Sequence, residues 1–466
     1  MNLPRLVIAA TRSGDGKTTV ATGIMAALRA RGLRVSPHKV GPDYIDPSYH
    51  AAACGVAGRN LDPWLAGEEK VAPLLAHGAS RARADVAVIE GVMGLFDGAA
   101  GRGDFASTAH VARLTGSPVV LVVDASGMSA SVAAIAAGFA GWDPGLHLAG
   151  IVLNRVGSDR HEARLREALA PSGIPVVGAL RRDASLHTPS RHLGLVPAGE
   201  RPASVDAWLP GLRALVERGL DLDLLLSIAR GAPGLNASPW SPAAEAGPVT
   251  AAGRPPVVAV AAGPAFTFGY AEHAELLAAA GADVVPFDPI SERLPEGTDA
   301  LLAGGGFPEV HADGLAANGA LLDEVRGRVA GGMPVVAECA GLLWLGESLD
   351  GRKQVGVIPA RARMTGSLTL GYREAVALRD SPLLAAGACV RAHEFHRTVS
   401  EPALSDDPAW RLADGSLSGW AGSGLLASYL HLHWAGVPGA AERLVRCALA
   451  AHTRSQAGVH PRGADG

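Results

Sequence analysis

Short β-branched apolar runs alternate with longer Ala/Leu/Arg stretches of helical period along both halves of the chain, the pattern of parallel α/β sheets. In the first half the runs are Arg5 to Ala10, Asp85 to Ile89, Pro118 to Val123, Leu148 to Leu153 and Ile174 to Val177. Polar residues close several of them: Glu90, Asp124 and Asn154. Ligands of open parallel sheets sit beyond the carboxyl ends of the strands, so these residues are expected along one rim. The second half repeats the pattern at Pro256 to Ala261, Ala282 to Val285, Ala300 to Ala303 and Pro334 to Ala337. Between the halves, GAPGLNASPWSPAAEAGPVTAAGRP has neither period and reads as a linker. The expected organisation is two tandem α/β domains, 1–230 and 256–453, with a linker at 231–255 and a disordered tail at 454–466.

With 466 residues, 48% of them apolar, the chain has ample material for two cores. Its 41 Lys and Arg against 45 Asp and Glu give a net charge of -4, which disfavours both a basic nucleic-acid binder and an acidic disordered chain. No uncharged apolar stretch reaches the ~20 residues of a membrane helix, and the N-terminus lacks the apolar region of a signal peptide. Cys54, Cys339, Cys389 and Cys447 form no CxxC pair. The expectation is a cytoplasmic protein without nucleic-acid or membrane partners.

The first strand runs into Thr11-Arg12-Ser13-Gly14-Asp15-Gly16-Lys17-Thr18-Thr19 and then a helical stretch. This is nearly a P-loop. Phosphates need inward backbone N–H groups with no Cβ in the way, which Gly14 and Gly16 supply at the mouth of a helix, with Asp15 between them also expected to bind ATP. Lys17 is expected on the outer phosphates of ATP, Thr18 on Mg2+, and Thr19 beside them; Thr11 departs from the usual glycine. Glu90 is placed to help hold the metal, with Asp97 a weaker candidate. Asn154 could meet an adenine edge or simply form a turn. Lys39, Asp43, Tyr44 and Asp46, in the Gly/Pro-punctuated segment Lys39 to His50, suit an acceptor site holding Mg2+ and a carboxylate substrate; a plain surface loop would share that composition.

In the second half, Met333 to Trp344 is an apolar strand, a small-residue turn and a helical run, the shape of a nucleophile elbow. There Cys339 is the expected nucleophile and the Ala340 N–H an oxyanion donor. Gly305 and Gly306, after the strand DALLA, are expected to add oxyanion donors. His431 and His433 lie on an expected strand whose alternation puts both on one face, and one of them would be the base.

SGDGKTT, KVGPDYIDPSYH, EGVMGLFDG, AFTFGY, GGFPE, AECAG, HEFH and SYLHLHW together make the chain resemble the cobyrinic and hydrogenobyrinic acid a,c-diamide synthases, over nearly its whole length. The resemblance implies a dethiobiotin-synthetase-like P-loop domain followed by a class I glutamine amidotransferase domain. It also implies the partners: ATP with Mg2+, glutamine, and a corrin ring whose a and c acetate groups become amides, while leaving open whether that ring carries cobalt. A homodimer is compatible with this reading. Matching YLH to the family pattern assigns His431 as the partner of Cys339, with His433 the alternative base. Class I enzymes often carry a glutamate two residues after that histidine, the position His433 occupies here. Rival readings are an amidotransferase for another tetrapyrrole acid, such as cobyric acid or a nickel sirohydrochlorin, and a partitioning-type P-loop switch. The switch usually carries a lysine at the position of Arg12 and leaves the Cys339 half unexplained.

Overall fold

Residues 1–183, 190–191, 194–249 and 254–457 are described by the computed structural model. The linker positions 250–253 and the tail positions 458–466 lie outside them; a helix, Ala440–Ala457, occupies the start of the expected tail. The chain divides into two compact units, Met1–Trp240 and Ser241–Gly466. Part of the stretch expected as linker packs into the first unit. The Leu235 N–H donates to the Met1 carbonyl, Arg5 donates to the Pro233 carbonyl, and Trp240 is buried against His77.

The first unit is built on strands β1 (Arg5–Ala10), β2 (Val35–Val40), β3 (Arg59–Leu61), β4 (Val86–Glu90), β5 (Val119–Asp124), β6 (Leu148–Val156) and β7 (Val176–Arg181). Their order is β3-β2-β4-β1-β5-β6-β7, with every pairing parallel. Strands β1, β4 and β5 are apolar along nearly their whole length because helices cover both faces. β1 lies in the middle, and the turn after it carries Gly14 and Gly16 into helix α1 (Lys17–Ala30). Val20, Ile24 and Leu28 recur at helical spacing on α1 and are fully buried, contributing roughly 1.5–3 kcal/mol each. A Cβ on Gly23 would lie 2.6 Å from Val216 and 3.1 Å from Leu212, so any side chain there would push α1 off the helix Pro202–Gly219.

The second unit holds a six-stranded sheet in the order Asp283–Phe287, Val257–Ala261, Thr298–Ala303, Val335–Glu338, Leu425–Ser428 and Trp420–Gly422. All neighbours are parallel except the last pair. A second sheet is dominated by two long antiparallel strands, Arg361–Ala377 and Cys389–Glu401. The core under the central strands is filled by Leu301, Val335, Leu342, Leu343 and Trp344. The expected strand through His433 ends instead at Ser428. Beyond it, His431 makes only an isolated antiparallel bridge to His393, so strand alternation does not relate His431 to His433.

Candidate functional site

In the first unit the glycine-rich turn is held by its own side chains. Gly14 and Gly16 have φ of +88° and +93°, a region that favours glycine. Thr11, at the position where glycine is usual, donates its hydroxyl to the Asp15 carboxylate, which also takes a 3.2 Å bond from Arg12. Asp15 is buried, and its side chain fastens the loop. The Asn154 amide, expected near an adenine edge or in a turn, donates to the Asp15 carbonyl at 2.8 Å and clamps the loop. A Cβ on Gly16 would fall 2.4 Å from the Asn154 amide nitrogen. Lys17 donates to the carbonyls of Met93 (2.5 Å) and Arg12 (3.4 Å). Burial, with the positive charge of Lys39 second, lowers the Lys17 pKa.

Beneath that loop lies a buried set of charges brought from four elements. The Lys39 ammonium, at the end of β2, donates to Asp46 Oδ2 (2.6 Å), Glu90 Oε1 (3.0 Å) and the Gly91 carbonyl (2.9 Å). Thr18, on α1, donates to the same Glu90 oxygen at 2.6 Å and lies 3.1 Å from the same Asp46 oxygen. His50, on helix α2 (Asp46–Cys54), is 2.5 Å from the other Glu90 oxygen. Burial alone would lower Lys39 and raise Glu90. Asp46, Glu90 and Asp43 overcome it for Lys39, whose pKa rises; Lys39, His50 and Thr18 overcome it for Glu90, whose pKa falls. Asp46 is driven up, first by burial and then by Asp43.

Asp43 turns its carboxylate to the Ile45 and Asp46 N–H groups, capping α2, with its second oxygen 4.0 Å from Lys39. Tyr44 is buried rather than presented on a surface loop. Asp97 accepts from the Gly94 N–H at 2.9 Å and so shapes its own turn. Among the described residues no cluster of three or more His, Cys, Asp and Glu forms a metal cage. The oxygens of Thr18, Asp46 and Glu90 nevertheless converge, and a sparse all-oxygen set of this kind fits Mg2+ carried in with a nucleotide phosphate.

Cys339 sits in the second unit between the strand Val335–Glu338 and the short helix Ala340–Leu345, with φ +49° and ψ -97°. That backbone strain in a non-glycine residue is the mark of an elbow. The Cys339 N–H donates to the Ser428 carbonyl (2.8 Å), and the Gly341 N–H to the Gly304 carbonyl (3.0 Å), stitching the turn to the glycine loop. The sulfur lies 3.8 Å from the Phe395 carbonyl. Burial and then Glu309 push the thiol pKa up, with the Ala340 N–H working against them. Burial thus favours the neutral thiol form of Cys339.

Gly305 was expected as an oxyanion donor, but its N–H is already committed to the Phe268 carbonyl (3.2 Å). What it supplies is space, since a Cβ there would lie 2.5 Å from His431 Cε1. Gly306 has φ +157°, and a Cβ on it would strike the Ala265 carbonyl at 2.2 Å. His431 is buried, with Nδ1 3.7 Å from Glu338 Oε2. His433 is packed in another pocket, 3.6 Å from Glu272, with its ring 4.4 Å from that of Tyr270. Sequence reasoning gave no role to Glu338, the residue before the nucleophile, or to His50, the last residue of the segment Lys39 to His50. A carboxylate closing an otherwise apolar strand was the available signal for Glu338, as it was for Glu90.

Two family models match the two units in turn. Residues 6–196 match the CobQ/CobB/MinD/ParA nucleotide binding domain, and residues 257–438 match the CobB/CobQ-like glutamine amidotransferase domain. The hydrogenobyrinate a,c-diamide synthase of Streptomyces coelicolor is 55% identical over 96% of this chain and 98% of its own. That of Thermobifida fusca is 54% identical over 95% and 96%. The cobyrinate a,c-diamide synthase of Gloeobacter violaceus is 46% identical over 96% and 97%. With such likeness running end to end across both units, the chain belongs to the cobyrinate and hydrogenobyrinate a,c-diamide synthase family.

Proposed function

We propose that the protein amidates the a and c acetate groups of a corrin ring, using ATP and glutamine. The observation that carries this reading is the presence in one chain of two separately built sites: a phosphate loop whose Thr18 meets buried carboxylates, and a strained cysteine whose neighbour Glu338 faces the buried His431. The greater identity to relatives named for hydrogenobyrinate favours a metal-free ring.

In the second unit, His431 takes the Cys339 proton as the sulfur attacks the side-chain carbonyl carbon of glutamine. The N–H groups of Ala340 and Gly306 are assigned to the oxyanion. Collapse expels ammonia, which leaves with the proton held by His431, and a thioester remains. Water, deprotonated by His431, then releases glutamate and restores the thiol.

In the first unit, the turn from Gly14 to Thr19 binds the phosphates of ATP through its N–H groups, and Lys17 supplies a cationic head. Thr18, Asp46 and Glu90 would hold Mg2+, which when bound neutralises phosphate charge. An oxygen of the acetate group attacks the γ-phosphorus and ADP leaves, so a poor electrophile becomes an acyl phosphate. Ammonia adds to the acyl carbon and phosphate departs. Lys39, Asp43, Tyr44 and Asp46 are assigned to the acceptor side, and the proton lost by ammonia leaves with the phosphate. A second round amidates the other acetate group.

Incubating the Cys339→Ser variant with ATP, Mg2+ and hydrogenobyrinate tests the division of labour. Glutamine should no longer support amide formation, while supplied ammonium should support two mass increments of one amide each. Normal glutamine hydrolysis by Cys339→Ser would overturn the assignment.

A further inference from the structure

We propose that Glu338 orients His431, so that the acid of the glutaminase site is carried by the residue preceding the nucleophile; this rests on the glutaminase reading above. Three observations converge on it. Glu338 is paired in register with Ser428 across adjacent parallel strands, and the chain leaving Ser428 reaches His431 three residues later, over the end of the Glu338 strand. The two oxygens of its carboxylate bracket consecutive residues there: Oε2 lies 3.7 Å from His431 Nδ1, and Oε1 accepts from the Leu432 N–H at 3.4 Å. Glu338 is also buried, at the end of a strand whose other members, Val335, Val336 and Ala337, are wholly apolar core. A carboxylate costs free energy in such a place unless a polar partner repays it.

A separation of 3.7 Å is longer than a hydrogen bond, and such contacts commonly tighten only when substrate is bound. Drawn in, the carboxylate would hold the proton on Nδ1 and leave Nε2 to exchange protons with sulfur, amide nitrogen and water. His433 does not compete for Glu338, because Glu272 stands at 3.6 Å from it and Tyr270 covers its ring. Glu338 touches neither glutamine nor the reacting atoms in this account. It is a positioning residue.

The test compares glutamine hydrolysis by the full-length protein and its Glu338→Gln, Glu338→Asp and Cys339→Ser variants, with ammonium-driven amidation as a control on folding and on the other site. Glu338→Gln should lower kcat for glutamine by about 10²- to 10⁴-fold, as removing a triad carboxylate does elsewhere. Its KM for glutamine should stay within about threefold, because the carboxylate acts on the histidine rather than on substrate. Glu338→Asp should recover part of the lost kcat, and ammonium-driven turnover should be unchanged in both. Glu338→Gln with wild-type kcat, beside an inactive Cys339→Ser, would overturn this proposal alone; glutamine hydrolysis by Cys339→Ser would overturn the glutaminase reading itself. Loss of ammonium-driven turnover in both Glu338 variants would show a folding role and also overturn the proposal.

Discussion

Replacing Lys39 with methionine keeps the length of the side chain and removes its charge from the centre of the first unit. Glu90 is 0% exposed and Asp46 is 8% exposed, and both touch the Lys39 ammonium directly. Breaking a buried ion pair from one side costs about 3–5 kcal/mol, because a carboxylate remains in low dielectric without its partner. For a unit of this size each kcal/mol lowers the melting temperature by about 2–4 °C, so a drop of roughly 6–20 °C is expected. The pH dependence identifies the cause. Lys39 has a raised pKa, so its contribution is complete below its ordinary 10.5 and is lost as pH rises through the folded value. Glu90 has a lowered pKa, so its contribution is complete above its ordinary 4.5 and is lost as pH falls toward the folded value. Between these limits the wild-type protein keeps the contributions of Lys39 and Glu90, while in Lys39→Met the carboxylates left without the ammonium take up protons as pH falls. The gap between the two proteins should be widest near neutrality and narrow toward pH 4, as read by scanning calorimetry on the ligand-free chain. A melting temperature for Lys39→Met within about 2 °C of wild type at pH 7.5, or a gap that widens in acid, would refute the reasoning.

Gly305→Ala places a methyl group 2.5 Å from His431 Cε1, so the imidazole or the loop must move by about 1 Å; a displacement of that size costs on the order of 10²-fold in glutaminase kcat, measured against unchanged ammonium-driven turnover. Gly16→Ala meets both a φ of +93° and the Asn154 amide at 2.4 Å, so equilibrium dialysis should find ATP binding lost while the second unit still hydrolyses glutamine.

Features encoded by adjacent residues were legible in the sequence, and those assembled from distant segments were not. Gly14, Gly16, Lys17 and Thr18 announce themselves because a phosphate loop is a local structure, and the Cys339 elbow is local in the same way. Glu90 could be read from its place at the end of an apolar strand. β2 was missed because its sequence, VSPHKV, carries Pro37, His38 and Lys39 inside a strand. The two polar side chains are buried because each is paired, Lys39 with Asp46 and Glu90 from other elements and His38 with Ser36 of the same strand. The Arg361–Ala377 strand mixes exposed and half-buried positions along most of its length, so no hydrophobic period marks it. Similarly, separating His431 from His433 requires knowing that the strand stops at Ser428 and that Glu272 waits on a different helix.

On the proposed glutaminase reading, the positive-φ backbone at Cys339 trades durability for chemistry. Holding a side-chain-bearing residue at φ +49° costs roughly 1–3 kcal/mol, which glycine would not incur. A glycine in this position should therefore give a hardier but inert fold, and a screen selecting only for heat resistance would drift toward it.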